Sequence, residues 1–110
     1  MKFMLFICVD TAALETLPEK PVEGPMPWAD ELNAAGIRLD GDRLRSPDAA
    51  TTVRVRGGEV LLGDGPFAET KEVIIGYDVI ECTNLDEAIA IAARHPVAEG
   101  GLIEVRPFFG

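Results

Sequence analysis

The chain has 110 residues, 47% of them hydrophobic, with 10 Lys and Arg against 19 Asp and Glu for a formal net charge of -9. That length suits one domain, residues 1–110, and a globular hydrophobic content excludes wholesale disorder. The charge argues against nucleic acid and anionic membrane surfaces as partners, and no run approaches the roughly 18 apolar residues of a membrane span, so the chain reads as a soluble cytoplasmic protein.

Phe3 to Val9 is a continuous apolar run of strand length, suited to a central strand covered on both faces. Strand alternation sends Phe3, Leu5, Ile7 and Val9 toward one face and Met4, Phe6 and Cys8 toward the other. Asp10 to Met26 holds Pro18, Pro21 and Pro25 among Glu15, Glu19 and Glu23. It reads as a loop, and Thr11 to Met26 is expected to be the least protected part of the chain. Pro27 to Ala35 reads as a helix, with Pro27 in its first turn and Gly36 past its end. Trp28, Leu32 and Ala35 fall on one face of it. Trp28 reads as a core plug, and its indole N–H needs a partner if buried.

Ile37 to Leu44 is a predicted strand with Ile37 and Leu39 facing one way and Arg38 and Asp40 the other; Ser46-Pro47-Asp48 ends it. Thr51 to Arg56 and Glu59 to Leu62 flank Gly57-Gly58, a strong hairpin signal. Val73 to Cys82 reads as a central strand, with Tyr77 and Val79 on one side and Asp78 on the other beside Ile74, Ile80 and Cys82. Asn84 or Thr83 caps a second helix, whose buried stripe is expected to be Leu85, Ala88, Ile89 and Ala92. Arg94 and His95 sit in its last turn, where cations complement the helix dipole, and Pro96 stops it. Gly101 to Arg106 is the last strand, with Glu104 and Arg106 opposite Ile103 and Val105. This order is an α+β, ferredoxin-like βαββαβ plan with an inserted β-hairpin. Two helices cover one face of such a sheet. The other face carries Met4, Phe6 and Cys8, too apolar to leave in water, so a homodimer is expected.

Between the hairpin and the late strand lies Asp64-Gly65-Pro66-Phe67-Ala68-Glu69-Thr70-Lys71-Glu72. Glycine at 63 and 65 permits a sharp turn, and Phe67 is placed to pin the loop to a core. Asp64 reads as a turn former, its carboxylate capping backbone N–H groups over Phe67 to Thr70. The stretch resembles the motif that names the DGPF branch of the YCII-related family. Met1 to Val9, Ala50 to Arg54, Gly76-Tyr77, Leu85 to Ile89 and Ile103 to Pro107 look like further parts of that family; Thr11 to Pro27 does not. The resemblance implies a ferredoxin-like fold that pairs sheet to sheet as a dimeric α/β barrel. It implies little about chemistry: one relative has a dehydrochlorinase-like activity on a chlorinated aromatic. DGPF proteins are often encoded beside extracytoplasmic-function sigma factors, which suggests signalling.

Asp78 stands among apolar neighbours. Burial would raise its pKa and suit it to general acid or base work, while a pairing with Arg54, Arg56 or Arg106 would explain it structurally. His95 is the only histidine. It can shuttle protons near neutral pH, and its place at a helix end suits capping of the dipole. Some YCII-related proteins resemble one another in using a His–Asp pair with an early histidine; no histidine precedes His95 here. Glu69 and Lys71 are further candidate proton carriers. Arg54, Asp64, Gly65, Phe67 and Arg106 form the candidate ligand-binding set beside the signature loop and dimer cleft, although Glu104 and Arg106 also read as an ion pair. Cys8 and Cys82 lack metal-ligand spacing and read as buried thiols. No phosphate loop, Ser/His/Asp set or metal cluster is present, so no cofactor is expected. The resulting reading is a cofactor-free small-molecule enzyme or binder; the alternative is a regulatory or interaction module associated with sigma-factor signalling.

Overall fold

The computed structural model describes residues 1–18, 20 and 23–110. Glu19, Pro21 and Val22 of the expected loop lie outside the described residues. The apolar run forms β1 (Lys2–Asp10), followed by α1 (Pro27–Ala34), β2 (Arg38–Arg43), β3 (Thr51–Arg56), β4 (Glu59–Asp64), β5 (Glu72–Glu81), α2 (Leu85–Ala93) and β6 (Leu102–Pro107). β2, β5, β1 and β6 make a four-stranded sheet in that order, and its neighbours all pair antiparallel. β3 and β4 form a separate two-stranded sheet. The result is a mixed α+β fold with antiparallel sheets, compatible with a ferredoxin-like plan.

The core follows the β1 alternation. Phe3, Leu5, Ile7 and Val9 are buried against Trp28, Ala29 and Leu32 of α1 and Ala88 and Ile91 of α2. Ile103 and Val105 of β6 pack on the same cluster. Trp28 donates its indole N–H to the Ile91 carbonyl at 2.9 Å, so one buried side chain ties the first turn of α1 to the last turn of α2. Ala29, not the exposed Ala35, completes the α1 stripe. On α2 the buried residues are Ala88, Ile91 and Ala92, while Leu85 and Ile89 are about half exposed. That helix is apolar on most sides, so periodicity could not select the buried face. Its N-terminus is capped as expected, by Asn84 Oδ1 accepting the Glu87 N–H at 3.0 Å.

Part of the expected loop is a docked element. Thr11–Thr16 form a 3-10 helix whose N-terminus is held by Asp10 Oδ1, which accepts the Ala12 N–H at 2.8 Å. Ala13, Leu14 and Leu17 rest on the core. Two turns are too few to register as an apolar period amid prolines and carboxylates. The hairpin matches its signal: Gly57 and Gly58 take φ of +56° and +80°, the left-handed pair that a two-residue type I′ turn requires.

Two register shifts decide which side chains face the helices. On β5, Ile75 is an extra residue between Gly76, opposite Ile7, and Ile74, opposite Cys8. On β2, Leu39 is extra between Arg38, opposite Ile80, and Asp40, opposite Val79. A bulge breaks the period of two and re-aims the residues beyond it. Ile75 therefore joins Ile80 on the helix side while Ile74 stands 45% exposed, contrary to the simple alternation. Arg38 turns toward α1, donating to Asn33 Oδ1, and Leu39 is left exposed.

Replacing Trp28 by Phe keeps an aromatic ring but removes the N–H and part of the plug. We expect a loss of about 1–3 kcal/mol in unfolding free energy, read by urea denaturation. An unchanged midpoint would show that the link between the helices carries no stability.

Candidate functional site

The β2 bulge at Leu39 puts Arg38 and Gly41 on the same, helix-facing side of that strand, with Asp78 of β5 directly opposite Gly41. Arg38 Nε donates to Asp78 Oδ1 at 2.7 Å. Asp78 is 5% exposed, the one charged residue counted as buried among the described residues. The cation beside it is Arg38, and not Arg54, Arg56 or Arg106. Gly41 sits directly opposite Asp78 on β2. A Cβ at position 41 would collide with Asp78 Oδ1 and Arg38 Nη2, so glycine is what leaves room for the pair. Burial pushes the Asp78 carboxyl above its ordinary value, and the Arg38 hydrogen bond and charge only partly oppose that shift.

The pair lies in the wall of a cavity of about 460 Å³ between the sheet, α1 and the turn after α2. Ile7, Met26, Trp28, Ile75 and Val97 give it apolar walls, and His95 joins Arg38 and Asp78 among its polar groups. His95 ends α2 but does not act as a cation on its dipole. It caps the next turn instead: Nδ1 accepts the Val97 N–H at 3.0 Å ahead of the 3-10 turn Pro96–Ala98. A ring nitrogen that accepts carries no proton, so the imidazole proton sits on Nε2. The ring packs edge-to-face against Trp28 with centroids 4.6 Å apart. Burial, and then the positive charge of Arg38, hold the His95 pKa below its ordinary value. A neutral imidazole with one N–H donor thus shares a mainly apolar cavity with a carboxylate whose pKa is raised. Such a pair offers a proton acceptor and an N–H donor to a bound molecule.

The other candidate residues lie elsewhere. Glu69 and Lys71 are exposed, with Lys71 Nζ 4.0 Å from Asp10 Oδ2. Arg54 is exposed on β3. Arg106 pairs with Glu104 on the opposite face of the sheet and lies 5.2 Å from the centre of the Phe6 ring. Phe67 is 83% exposed and does not pin the loop to the core, since the hairpin forms a separate sheet. Gly65 adopts φ +86° and donates its N–H to Ala50 O at 2.7 Å, while its carbonyl accepts from Thr52 Oγ1 at 2.8 Å. Those backbone bonds, rather than an Asp64 cap, fasten the signature loop; among the described residues no hydrogen bond of the Asp64 side chain is formed. None of residues 64–71 lines the cavity. Asp78 and His95 each stand out in the sequence, but Arg38 as their neighbour does not, because strict alternation aims Arg38 at the other face. The signal available was Gly41 in a strand, which often marks close approach or a bulge. Among the described residues no group of three His, Cys, Asp or Glu is placed to hold a metal ion.

A lowered histidine pKa has a pH signature. In the interval between the folded value and the unfolded value near ~6.5, the unfolded chain holds more protons. The His95 contribution is therefore full above that unfolded value and is lost as pH falls through the folded one. Asp78, raised in the fold, contributes with the opposite sign in its own range, so the wild type must be compared with His95→Gln. We expect the stability difference between pH 7.5 and pH 5.5, from urea denaturation, to be smaller in His95→Gln. Equal differences would show that His95 titrates normally in the folded protein.

A model of the YCII-related domain matches residues 1–109. Over 67 residues, 59% of this chain, the sequence is 46% identical to an uncharacterised protein of Rhizobium meliloti (strain 1021), and the match covers 54% of that protein. The chain thus spans about half the length of that relative. No helix among the described residues is long and apolar enough to cross a membrane. With one family model running through the sheet, both helices and the signature loop, the chain belongs to the YCII-related family.

Proposed function

We propose that the protein binds a small, largely apolar molecule in the Trp28 cavity and moves a proton on it without a cofactor. The observation that carries this reading is Asp78, a buried carboxylate that opens on a cavity shared with a neutral imidazole. Only Oδ1 of Asp78 is engaged by a side chain among the described residues, which leaves Oδ2 to meet a ligand. In the deprotonated state Asp78 is the base. His95 Nε2–H is a donor for the oxygen or other atom on which charge develops, and Arg38 orients the carboxylate. Proton abstraction next to a carbonyl, isomerisation and elimination of a halide or hydroxide all fit that pair, and the apolar walls exclude the water that would compete.

A thermal-shift screen of a metabolite library finds the ligand, because a molecule that binds only the native state raises its melting temperature. With that ligand, Asp78→Asn keeps the shape and the Arg38 contact but removes the base. We expect binding within about threefold of wild type and turnover reduced by roughly 10²–10⁴-fold. Retained turnover would remove Asp78 from the chemistry.

The family fold also supports a homodimer formed on the sheet face away from the helices. Register places Met4 beside Val79, and Cys8 between Ile74 and Leu102, on that face. Ile74 and Leu102 are 45% and 42% exposed in the single chain. An apolar strip of this kind calls for a cover. We expect light scattering at micromolar concentration to give twice the chain mass, and Phe6→Lys to give the monomer. A wild-type monomer would refute the pairing.

A second reading, an interaction module, is favoured by the hairpin. Val53 opposite Leu62 and Val55 opposite Val60 share one face, with exposures of 57–70%. An isolated two-stranded ribbon gains little stability from such residues in water, so their apolar character suits a contact surface.

A further inference from the structure

A second groove adjoins the Trp28 cavity. It has a volume of about 630 Å³ and shares Leu17, Pro18, Arg43 and Ile75 with the first. Arg45 and Lys20 also line it, and among the described residues no carboxylate does. That is unusual in a chain with nearly twice as many acidic as basic residues. Asp48, close by in sequence, accepts from Ser46 Oγ.

Arg43 occupies the boundary between the two spaces. Its guanidinium donates Nη1–H to the Lys20 carbonyl at 3.1 Å and Nη2–H to the Pro18 carbonyl. Arginine has five N–H donors. Two backbone carbonyls fix the group in place without neutralising it, and among the described residues no carboxylate pairs with it. A held, uncompensated guanidinium beside a second arginine is a preorganised receptor for an anion. The partly buried cation of the first cavity is in the opposite condition, because Arg38 is already paired with Asp78. An anionic head group therefore finds its counter-charge at Arg43 and Arg45, while an apolar body finds its walls at Trp28, Ile7 and Val97.

We infer that the ligand is an amphipathic anion, with its apolar body in the Trp28 cavity and its carboxylate or phosphate in the adjoining groove at Arg43 and Arg45. This deepens the proposed function and rests on the cavity reading. It also accounts for how a chain of net charge -9 accepts a negative ligand: the local field of the groove, not the overall charge, acts at contact distance, since distant charges are screened beyond about 8–10 Å.

The test uses the full chain and two probes of one shape, 2-naphthoate and 2-naphthylmethanol, titrated by ¹H–¹⁵N NMR at pH 7.5, with inorganic phosphate as a third probe. We expect 2-naphthoate to bind about tenfold or more tightly than the alcohol, the order of one charge-assisted hydrogen bond. Its signals should move at the Trp28 indole and at the Arg43 and Arg45 amides together. Arg45→Gln should bring the two affinities within about threefold of each other without altering that of the alcohol; Arg43→Gln should do the same, while also loosening the chain near Pro18. Equal affinities that Arg45→Gln leaves unchanged would overturn the anion site and leave the cavity reading standing. Shifts from phosphate and 2-naphthoate at Arg43 and Arg45, with the Trp28 indole unmoved by any probe, would overturn the cavity reading and the joined site with it.

Discussion

The arrangement depends on a single contact, the Arg38–Asp78 ion pair laid over Gly41. A charged pair inside a protein is a poor source of stability, because the desolvation of both ions offsets most of their attraction, and an apolar pair of equal volume often serves as well. Removing one partner is another matter: the remaining ion is stranded, at a cost of about 3–5 kcal/mol. The fold commits two positions to this pair: Gly41 gives up its side chain, and Leu39 gives up burial so that the strand can shift. Stability alone does not account for that arrangement, and the proposed role of the Asp78 carboxylate at the cavity edge would.

Around the pair, the walls are positioned by groups that are themselves held. Trp28 is locked by its bond to the Ile91 carbonyl and by packing against His95. The imidazole is fixed in one tautomer by the Val97 amide. The 3-10 helix after β1 is tied to the signature loop, because the Thr11 N–H and hydroxyl both donate to the Lys71 carbonyl. Arg43 then holds the chain at Pro18 and Lys20. The signature loop is linked to the cavity region through this chain of contacts and through β5, into which it runs. Its conformation rests on the Gly65 backbone and Ala50, a scaffold role that requires no side-chain chemistry from Asp64. Polar groups supported in this way are held in place beforehand, which is the physical condition for useful electrostatics in a site.

Much apolar surface remains uncovered in the single chain. The outer sheet face, the hairpin, Phe67 and the Leu85–Ile89 side of α2 are all exposed to a degree that water disfavours. The excess negative charge opposes indiscriminate association.

The residues by themselves were enough for the element order, the hairpin and the core side of β1. Those features rest on local chemistry: a seven-residue apolar run, a Gly-Gly turn, an Asn cap and prolines at element ends act over a few positions and leave their mark in the chain. The family was legible for the same reason, in the nine residues from Asp64 to Glu72. The buried face of α2 was not legible, because a helix apolar on most sides gives periodicity nothing to choose between. The docking of Thr11–Thr16 was not, since its energy comes from a core assembled by distant segments. Nor was the site. Arg38 and Asp78 are 40 positions apart, and the β2 bulge that sets Arg38 and Gly41 against Asp78 arises from pairing with β5. A shift of one residue exchanges the faces of a strand, so pairing in three dimensions, and not the alternation written in the chain, decided that this arginine would meet that carboxylate.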